Sequence, residues 1–258
     1  MIFNYNPFDG QARCHVDWGR RGAIRAAARG DIIVVVDVLS FSTVVATATW
    51  RKALIYPCLE EDDPGKIARD IGGHVAVRRT EVPAKGRFSL SPLSYLEIEP
   101  GTRVALPSPN GATISRLAGR VPYLLAGALI NARSTASVIK SILKKSDLNL
   151  TIIACGEREK SSEGQIRWAV EDYLGAGAIM AALDFEKSTE AGVCEGAFIY
   201  HNNNLDKILW DCESGVELRE MGFGGDVKYA AQLNKLESAA VLRDDHYYKL
   251  DLNTDLVL

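Results

Sequence analysis

The feature that most constrains the fold is a continuous apolar run of strand length, DIIVVVDV at residues 31–38. A strand with one face in water alternates apolar and polar side chains, whereas a strand covered on both faces is apolar throughout. The run is therefore expected to be a buried strand of a mainly parallel sheet. Other short β-branched runs alternate with helix-patterned segments, which is typical of an α/β protein.

The remaining segments predict an alternation of strands and helices. Strands are expected at residues 54–57, 74–77, 102–106, 121–126 and 148–154, and helices at 40–50, 64–71, 112–118, 131–144, 168–183 and 225–236, with 189–221 mostly helical. Asn131 is the expected N-cap of its helix, residues 79–100 a long surface loop, and residues 246–258 an edge strand. Gly175 and Gly177 are expected to permit close helix packing. A division into two α/β lobes, 1–130 and 131–258, is also predicted.

Composition excludes several classes of protein. The chain has 258 residues, 47% hydrophobic and 24% charged, with a net charge of −3. Such a chain lacks the general basic surface of a nucleic-acid or anionic-membrane binder. An apolar membrane span through residues 32–50 would carry Asp37 into hydrocarbon at a cost of roughly 2.5–3.5 kcal/mol. Five scattered cysteines without a CxxC pair, and an N-terminus without a signal-peptide pattern, predict a cytoplasmic protein.

The first candidate site is DVLSFST, residues 37–43. Asp37 ends the buried strand, and Ser40, Ser42 and Thr43 crowd the following turn and helix start. In open α/β sheets, ligands bind outside the carboxyl ends of strands, and helix N-termini favour anions. Asp37 is thus a candidate metal ligand and the turn a candidate phosphate site; the alternative is that Asp37 and Ser40 only cap the helix.

Two phosphatase templates do not fit the sequence. An aspartyl-phosphate enzyme of the haloacid-dehalogenase type needs a second Asp two positions after the first, where Leu39 stands. A cysteine phosphatase needs an Arg six positions after its nucleophile, and Ser161 follows Cys155 at that spacing. Cys155 is therefore interpreted as a packed residue at a strand end.

Two further segments carry candidate residues. In LPSPNGAT, residues 106–113, a strand-to-helix turn contains Ser108, Asn110 and Gly111, which suit an oxyanion cradle. In the second half, GERE at 156–159 follows a strand, and Glu171 and Asp172 lie side by side in an apolar helix pattern. An acid on a packed face is costly unless it is paired or metal-bound.

Asp37 and Asp172 are the predicted magnesium pair, because Mg²⁺ typically takes one or two carboxylates and keeps several waters. The alternative is that one acid of the pair Glu171 and Asp172 is exposed and the other is paired with Arg167 or Arg158. The four histidines show no metal-binding spacing, and no nucleotide P-loop occurs.

Taken together, these motifs resemble the 2-phosphosulfolactate phosphatases. DVLSFSTVV, SLSPLSY at 89–95, LPSPNGAT, NARSTASVI, ACGE, VEDYLGAGAI and the terminal GFGGDVKYAAQLNKLESAAVL follow the order found in that family, over roughly residues 30–245. The resemblance implies two α/β lobes with the active site in the cleft between them. It also implies Mg²⁺-dependent removal of phosphate from 2-phospho-3-sulfolactate, a step of coenzyme M biosynthesis.

The chain departs from the family pattern at two places. The first motif commonly reads D-V-L-R-A-T-T, and here Ser40 and Phe41 replace the Arg-Ala, which removes a bidentate anion donor. The residue before Ser91 is commonly Asn and is Leu90 here. SLSP and PSPNG look like a bacterial branch of the family, which need not make coenzyme M.

The resulting hypothesis assigns roles to named residues. Asp37 and Asp172 hold Mg²⁺, and Glu171 is a further ligand or the base for water. The candidate phosphate and substrate contacts are Ser40, Ser42, Thr43, Arg78, Arg79, Ser108, Asn110, Gly111, Gly156 and Arg158. The expected partner is a small anionic phosphoester, with homo-oligomer formation left open. The alternatives are a phosphatase for a different phosphoester, a non-catalytic anion-binding protein and a nucleotide-utilising transferase.

Overall fold

The computed structural model describes residues 12–158 and 166–250. The strands are β1 (Cys14–Trp18), β2 (Ile32–Val36), β3 (Leu54–Cys58), β4 (His74–Val75), β5 (Arg103–Pro107), β6 (Leu124–Ala126), β7 (Leu150–Ala154), β8 (Glu157–Arg158), β9 (Ile166–Arg167), β10 (Ala240–Arg243) and β11 (His246–Lys249). The α-helices are α1 (Gly19–Arg29), α2 (Phe41–Trp50), α3 (Pro64–Asp70), α4 (Gly111–Ala118), α5 (Ala132–Leu143), α6 (Val170–Met180), α7 (Thr189–His201), α8 (Leu205–Asp211), α9 (Glu213–Glu220) and α10 (Gly224–Ala230). Short 3₁₀ helices occupy Arg79–Glu81, Pro92–Tyr95 and Leu129–Asn131.

Nine of the described strands form one sheet in the order β1-β7-β2-β6-β10-β11-β3-β5-β4. The strands β1, β7, β2 and β6 are mutually parallel, as are β3, β5 and β4. The antiparallel hairpin β10–β11 joins the two groups. The predicted α/β class with a mainly parallel sheet is confirmed. Strands from both predicted lobes share this sheet, and the lobe boundary stays a prediction.

Strand β2 is covered on both faces, as its apolar run predicts. All five of its residues are fully buried. Ile32, Val34 and Val36 belong to a hydrophobic cluster with helices α5 to α10, whereas Ile33 and Val35 belong to another with α1, α2 and α4. Side chains alternate across a strand, so helices on both faces require apolar residues at every position.

Three local expectations are corrected. The segment 79–100 is not only a surface loop, because Phe88, Tyr95 and Ile98 are fully buried and the first two rings stack at 5.1 Å. Asn131 is the N-cap residue of α5, as predicted, but its side chain does not cap the helix, since its Oδ1 accepts from the Ala128 N–H at 2.9 Å.

The predicted edge strand at 246–258 is the third correction. Strand β11 lies inside the sheet between β10 and β3, and residues 251–258 fall outside the described part. Tyr247 explains the interior position: its ring is fully buried edge-on to Phe41, and its hydroxyl shares a hydrogen bond with Ser115 at 2.7 Å. Over residues 12–158 and 166–250, no helix combines the length and apolarity needed to cross a bilayer.

Helices α6 and α7 pack closely through glycine, as predicted for the Gly175–Gly177 segment. A Cβ atom at Gly177 would overlap the carbonyl oxygen of Cys194 and lie 2.7 Å from Cβ of Phe198. Gly196 lies on the exposed side of α7, where an added Cβ would meet nothing within 4 Å.

The substitution Gly177→Ala is therefore expected to lower the free energy of unfolding by about 2 kcal/mol, because a methyl group must force the two helices apart. Gly196→Ala is the matched control and should raise it by up to about 1 kcal/mol through helix propensity. Urea unfolding followed by circular dichroism measures both. Equal effects of the two substitutions would contradict the assigned packing.

Candidate active site

Asp37 connects two strand-to-helix turns. Its Oδ1 accepts a hydrogen bond from the Phe41 N–H and its Oδ2 accepts one from the Gly111 N–H, both at 3.1 Å. The first donor opens α2 and the second opens α4. A Cβ atom at position 111 would overlap the Phe41 ring. Glycine is therefore what allows the second turn to reach the carboxylate.

Asp172, in the first turn of α6, makes a matching connection. Its Oδ1 accepts from the Val38 N–H at 2.7 Å and its Oδ2 from the Gly156 N–H at 2.9 Å. These donors follow the neighbouring parallel strands β2 and β7. The structure thus brings Asp172 against the residue that follows Asp37, although 134 positions separate it from Val38.

Four acids share this region: Asp37, Glu157, Glu171 and Asp172. Burial, with the charge of Glu171, raises the pKa of Asp37 to about 6. Burial, with the charges of Asp37 and Glu171, raises the pKa of Asp172 well above its usual range. Burial and the charge of Asp37 raise the pKa of Glu157 to about 7. The Nδ2 atom of Asn110 donates to Oε2 of Glu157 at 2.9 Å. The site is an acidic, largely water-excluded cluster.

The alternative interpretation of Glu171 and Asp172 is wrong in its central point. Their exposed fractions are 2% and 4%, so neither acid is solvated. Arg167 instead pairs with Glu213 at 3.0 Å. The side chain of Arg158 lies outside the described part of the chain.

The hydroxyls of the first motif are turned inward. Ser42 Oγ accepts from the Asp37 N–H at 3.0 Å and donates to the Val35 carbonyl at 2.8 Å. Thr43 Oγ1 donates to the Val38 carbonyl at 2.8 Å. Both hydroxyls brace the turn that presents Asp37, and their predicted contact with phosphate stays a prediction.

Arg79 is a cation that lies beside Asp37. Its Nη2 donates to Ser40 Oγ and to the Leu90 carbonyl, both at 2.7 Å, and its Nε donates to Oδ2 of Asp226 at 3.2 Å. Its charge partly offsets the rise that burial causes in the pKa of Asp37. A guanidinium therefore lies against Ser40, where the resembled pattern commonly has arginine. Arg78 is exposed, and its N–H donates to Glu81.

Gly156 and Ser108, two of the predicted substrate contacts, lie in turns that follow strands β7 and β5. Gly156 has φ of 65°, a left-handed conformation that favours glycine, and it donates its N–H to Asp172. Ser108 is 4% exposed in the turn between β5 and α4. Cys155 is 3% exposed, which confirms the interpretation of a packed residue, and burial raises the pKa of its thiol.

Sequence reasoning missed Glu157 and Asp226 as site residues. Glu157 stands in the GERE segment, and its signal was an acid directly after a strand end. Asp226 is 1% exposed in the first turn of α10. Its signal was an acid inside the apolar pattern of GGDVKYA. Neither signal identifies a partner.

The carboxylate oxygens of this site suit a hard divalent cation such as Mg²⁺. Carboxylate oxygens are the ligands that Mg²⁺ prefers, and mutual repulsion of buried acids favours a cation between them. Within residues 12–158 and 166–250, no three acidic, histidine or cysteine side chains are arranged to hold a metal ion. The residues therefore fit an ion bound by one or two carboxylates together with water and substrate oxygens.

Comparison with known proteins decides the family. A family model described as 2-phosphosulpholactate phosphatase matches residues 21–245. The chain belongs to the 2-phosphosulfolactate phosphatase family. This is a family of phosphoric monoester hydrolases, and the predicted resemblance is confirmed.

Relatives of this family are similar over most of the chain. A probable 2-phosphosulfolactate phosphatase of Carboxydothermus hydrogenoformans is 30% identical, over 81% of this chain and 85% of that protein. The 2-phosphosulfolactate phosphatase of Methanothermobacter thermautotrophicus is 26% identical, over 83% of this chain and 87% of that protein. The one of Methanocaldococcus jannaschii is 20% identical, over 84% and 91% respectively.

The raised pKa of Glu157 predicts a pH-dependent stability of the metal-free protein. The folded state keeps the proton up to about pH 7, whereas the unfolded chain releases it near pH 4.5, so stability is lost as pH rises between these values. Glu157→Gln should remove on the order of 2 kcal/mol of the difference in unfolding free energy between pH 5 and pH 8. Urea unfolding at both pH values measures it.

Glu81→Gln serves as the control. Its hydrogen bonds with Lys85 and the Arg78 N–H lower the pKa of Glu81. Stability from that group is lost only as pH falls below its usual value, so the difference between pH 5 and pH 8 should not change. A Glu157→Gln protein with the wild-type pH dependence would contradict the described environment.

Proposed function

We propose that this chain is a Mg²⁺-dependent phosphatase that hydrolyses 2-phospho-3-sulfolactate to 3-sulfolactate and inorganic phosphate. The observation that carries the proposal is the convergence of Asp37, which follows β2, with Glu171 and Asp172 of α6 and with the guanidinium of Arg79. A Mg²⁺-dependent phosphatase needs carboxylates that bind the metal ion and a positively charged side chain that binds the anionic substrate. The family supports the reaction class.

Asp37 and Asp172 are the proposed magnesium residues, with Glu171 as a further ligand or a base. The ion, when bound, supplies charge that polarises the phosphoryl group and lowers the pKa of water. Because each Asp oxygen already accepts a backbone N–H, the carboxylates are held in fixed orientations and can bind without reorganising.

The chain's own residues supply the proton transfers of the proposed reaction. Glu171 accepts a proton from the water that attacks phosphorus, and the bond from phosphorus to the ester oxygen breaks. Glu157 donates a proton to that leaving oxygen. Its pKa of about 7 keeps it partly protonated near neutral pH, and the Asn110 hydrogen bond to Oε2 leaves Oε1 for the proton.

Substrate recognition is proposed to use the residues around the acids. Arg79 binds the carboxylate or sulfonate, with Arg78 and Arg158 as further candidates. Ser40, Ser108, Asn110, Gly111 and Gly156 line the turns offered to the phosphoryl oxygens, with Ser42 and Thr43 behind them. A cytoplasmic location is proposed because all five cysteines are free thiols, which is expected in a reducing compartment.

The binding-protein alternative rested on Ser40 in place of arginine. That argument is weakened because Arg79 brings a guanidinium to Ser40 Oγ at 2.7 Å. A binding protein would be stabilised thermally by the phosphoester and would release no phosphate. A panel of small phosphoesters, tested with and without Mg²⁺, distinguishes this alternative and also a phosphatase with another substrate.

Asp37→Asn and Asp172→Asn are each expected to lower kcat for 2-phospho-3-sulfolactate by at least about a hundredfold, because each removes a charge proposed to bind the ion. Release of inorganic phosphate at saturating Mg²⁺ measures this. Asp184→Asn is the control, since Asp184 is an 84% exposed surface acid paired with Lys140. It should keep wild-type activity. Full activity in both test variants would remove these acids from the mechanism.

A further inference from the structure

The guanidinium of Arg79 is held in place by an acid from a distant helix. Arg79 is 16% exposed and the Asp226 side chain 2% exposed, and their Nε to Oδ2 distance is 3.2 Å. The Arg79 guanidinium also lies 5.7 Å from the centre of the Phe223 ring, in the residue before α10. Phe223 and Asp226, three positions apart at the start of α10, thus both contact this side chain, and Asp226 is 147 positions from Arg79 in sequence.

Asp226 ties a second segment to the same point. Its Oδ1 accepts a hydrogen bond from Ser91 Oγ at 2.6 Å. Ser91 stands next to Leu90, whose carbonyl accepts from Nη2 of Arg79. The Asp226 carboxylate therefore fixes both the Arg79 guanidinium and the loop whose Leu90 carbonyl also accepts a hydrogen bond from that guanidinium.

These contacts use one edge of the guanidinium. Arginine offers five N–H donors in a planar fork. Here Nε and Nη2 have acceptors, and no hydrogen bond with the described residues uses Nη1. With two nitrogens held, the plane of the fork and the direction of Nη1 are set. That nitrogen is left for an oxygen of a bound anion.

We infer that Asp226 is a positioning residue, which orients Arg79 so that Nη1 binds an oxyanion of the substrate beside Ser40 and Asp37. The inference deepens the proposed function and rests on it. Asp226 offsets much of the Arg79 charge, so its contribution is orientation and not attraction of the anion. Fixing the fork before binding lowers the conformational cost of the ion pair with the substrate.

Asp226→Asn tests the inference because it keeps the shape and one acceptor oxygen and removes the charge that holds Nε. We expect KM for 2-phospho-3-sulfolactate to rise about tenfold or more, with kcat changed less than about threefold, since ground-state binding is lost. Arg79→Ala should also raise KM. Adding Asp226→Asn to Arg79→Ala should raise it no further, because Asp226 acts through the missing guanidinium.

Asp31→Asn is a matched control. Asp31 is also a buried acid that pairs with an arginine, Arg29 at 2.7 Å, and accepts from a hydroxyl, Thr151 Oγ1 at 2.6 Å. It precedes β2, whereas Asp37 follows it, so it lies at the opposite end of that strand. Its substitution should lower the melting temperature about as much as Asp226→Asn while KM stays within about twofold of wild type.

The outcomes separate this inference from the proposed function. Wild-type turnover with an unchanged KM in Asp226→Asn, or additive effects in the double variant, overturns the positioning role alone. Binding of 3-sulfolactate by calorimetry without turnover overturns the proposed function, and the ratio of Kd values between wild type and Asp226→Asn still decides the positioning role. Neither turnover nor binding in the wild type overturns both.

Discussion

The structure depends on two buried carboxylates that bind backbone N–H groups of other segments. Asp37 holds the starts of α2 and α4, and Asp172 holds the ends of β2 and β7. Hydrogen bonds to a charged acceptor are stronger than neutral ones, and each also satisfies a backbone donor at a turn. The two side chains therefore organise three strand-to-helix connections into one surface. Everything proposed about the chemistry follows from that convergence.

The same arrangement has an electrostatic cost. Burial raises the pKa values of Asp37, Asp172 and Glu157, so the folded protein opposes their ionisation. A divalent cation would offset this repulsion, and its binding would then stabilise the fold as well as serve the reaction. Arg79 adds one positive charge at the border of the cluster, and Asp226 and Ser40 keep it in a fixed place. The site thus has an acidic side, proposed to hold the metal ion, and a basic side, proposed to bind the substrate.

Much of the fold followed from local pattern. The helix beginning after Ser40, the buried strand before Asp37 and the glycine contact of α6 all agree with the sequence analysis. The sequence predictions were wrong where the surroundings of a segment are formed by distant parts of the chain. Tyr247 looked like part of an edge strand, yet its ring fills the interior beside Phe41. The loop around Tyr95 read as polar, although three of its large side chains are core residues.

The sequence by itself determined which residues are placed at strand ends and which faces of strands and helices are apolar. The reason is that the spacing of apolar residues and the residues that form turns are local properties of the chain. The sequence therefore identified Asp37, Asn110, Gly111 and Asp172 as members of one candidate site. Only the tertiary structure decided their partners. Gly111 binds Asp37 across 74 positions and Asp226 binds Arg79 across 147. Such pairs depend on the order of strands in the sheet, which results from packing over the whole chain and leaves no periodic signal.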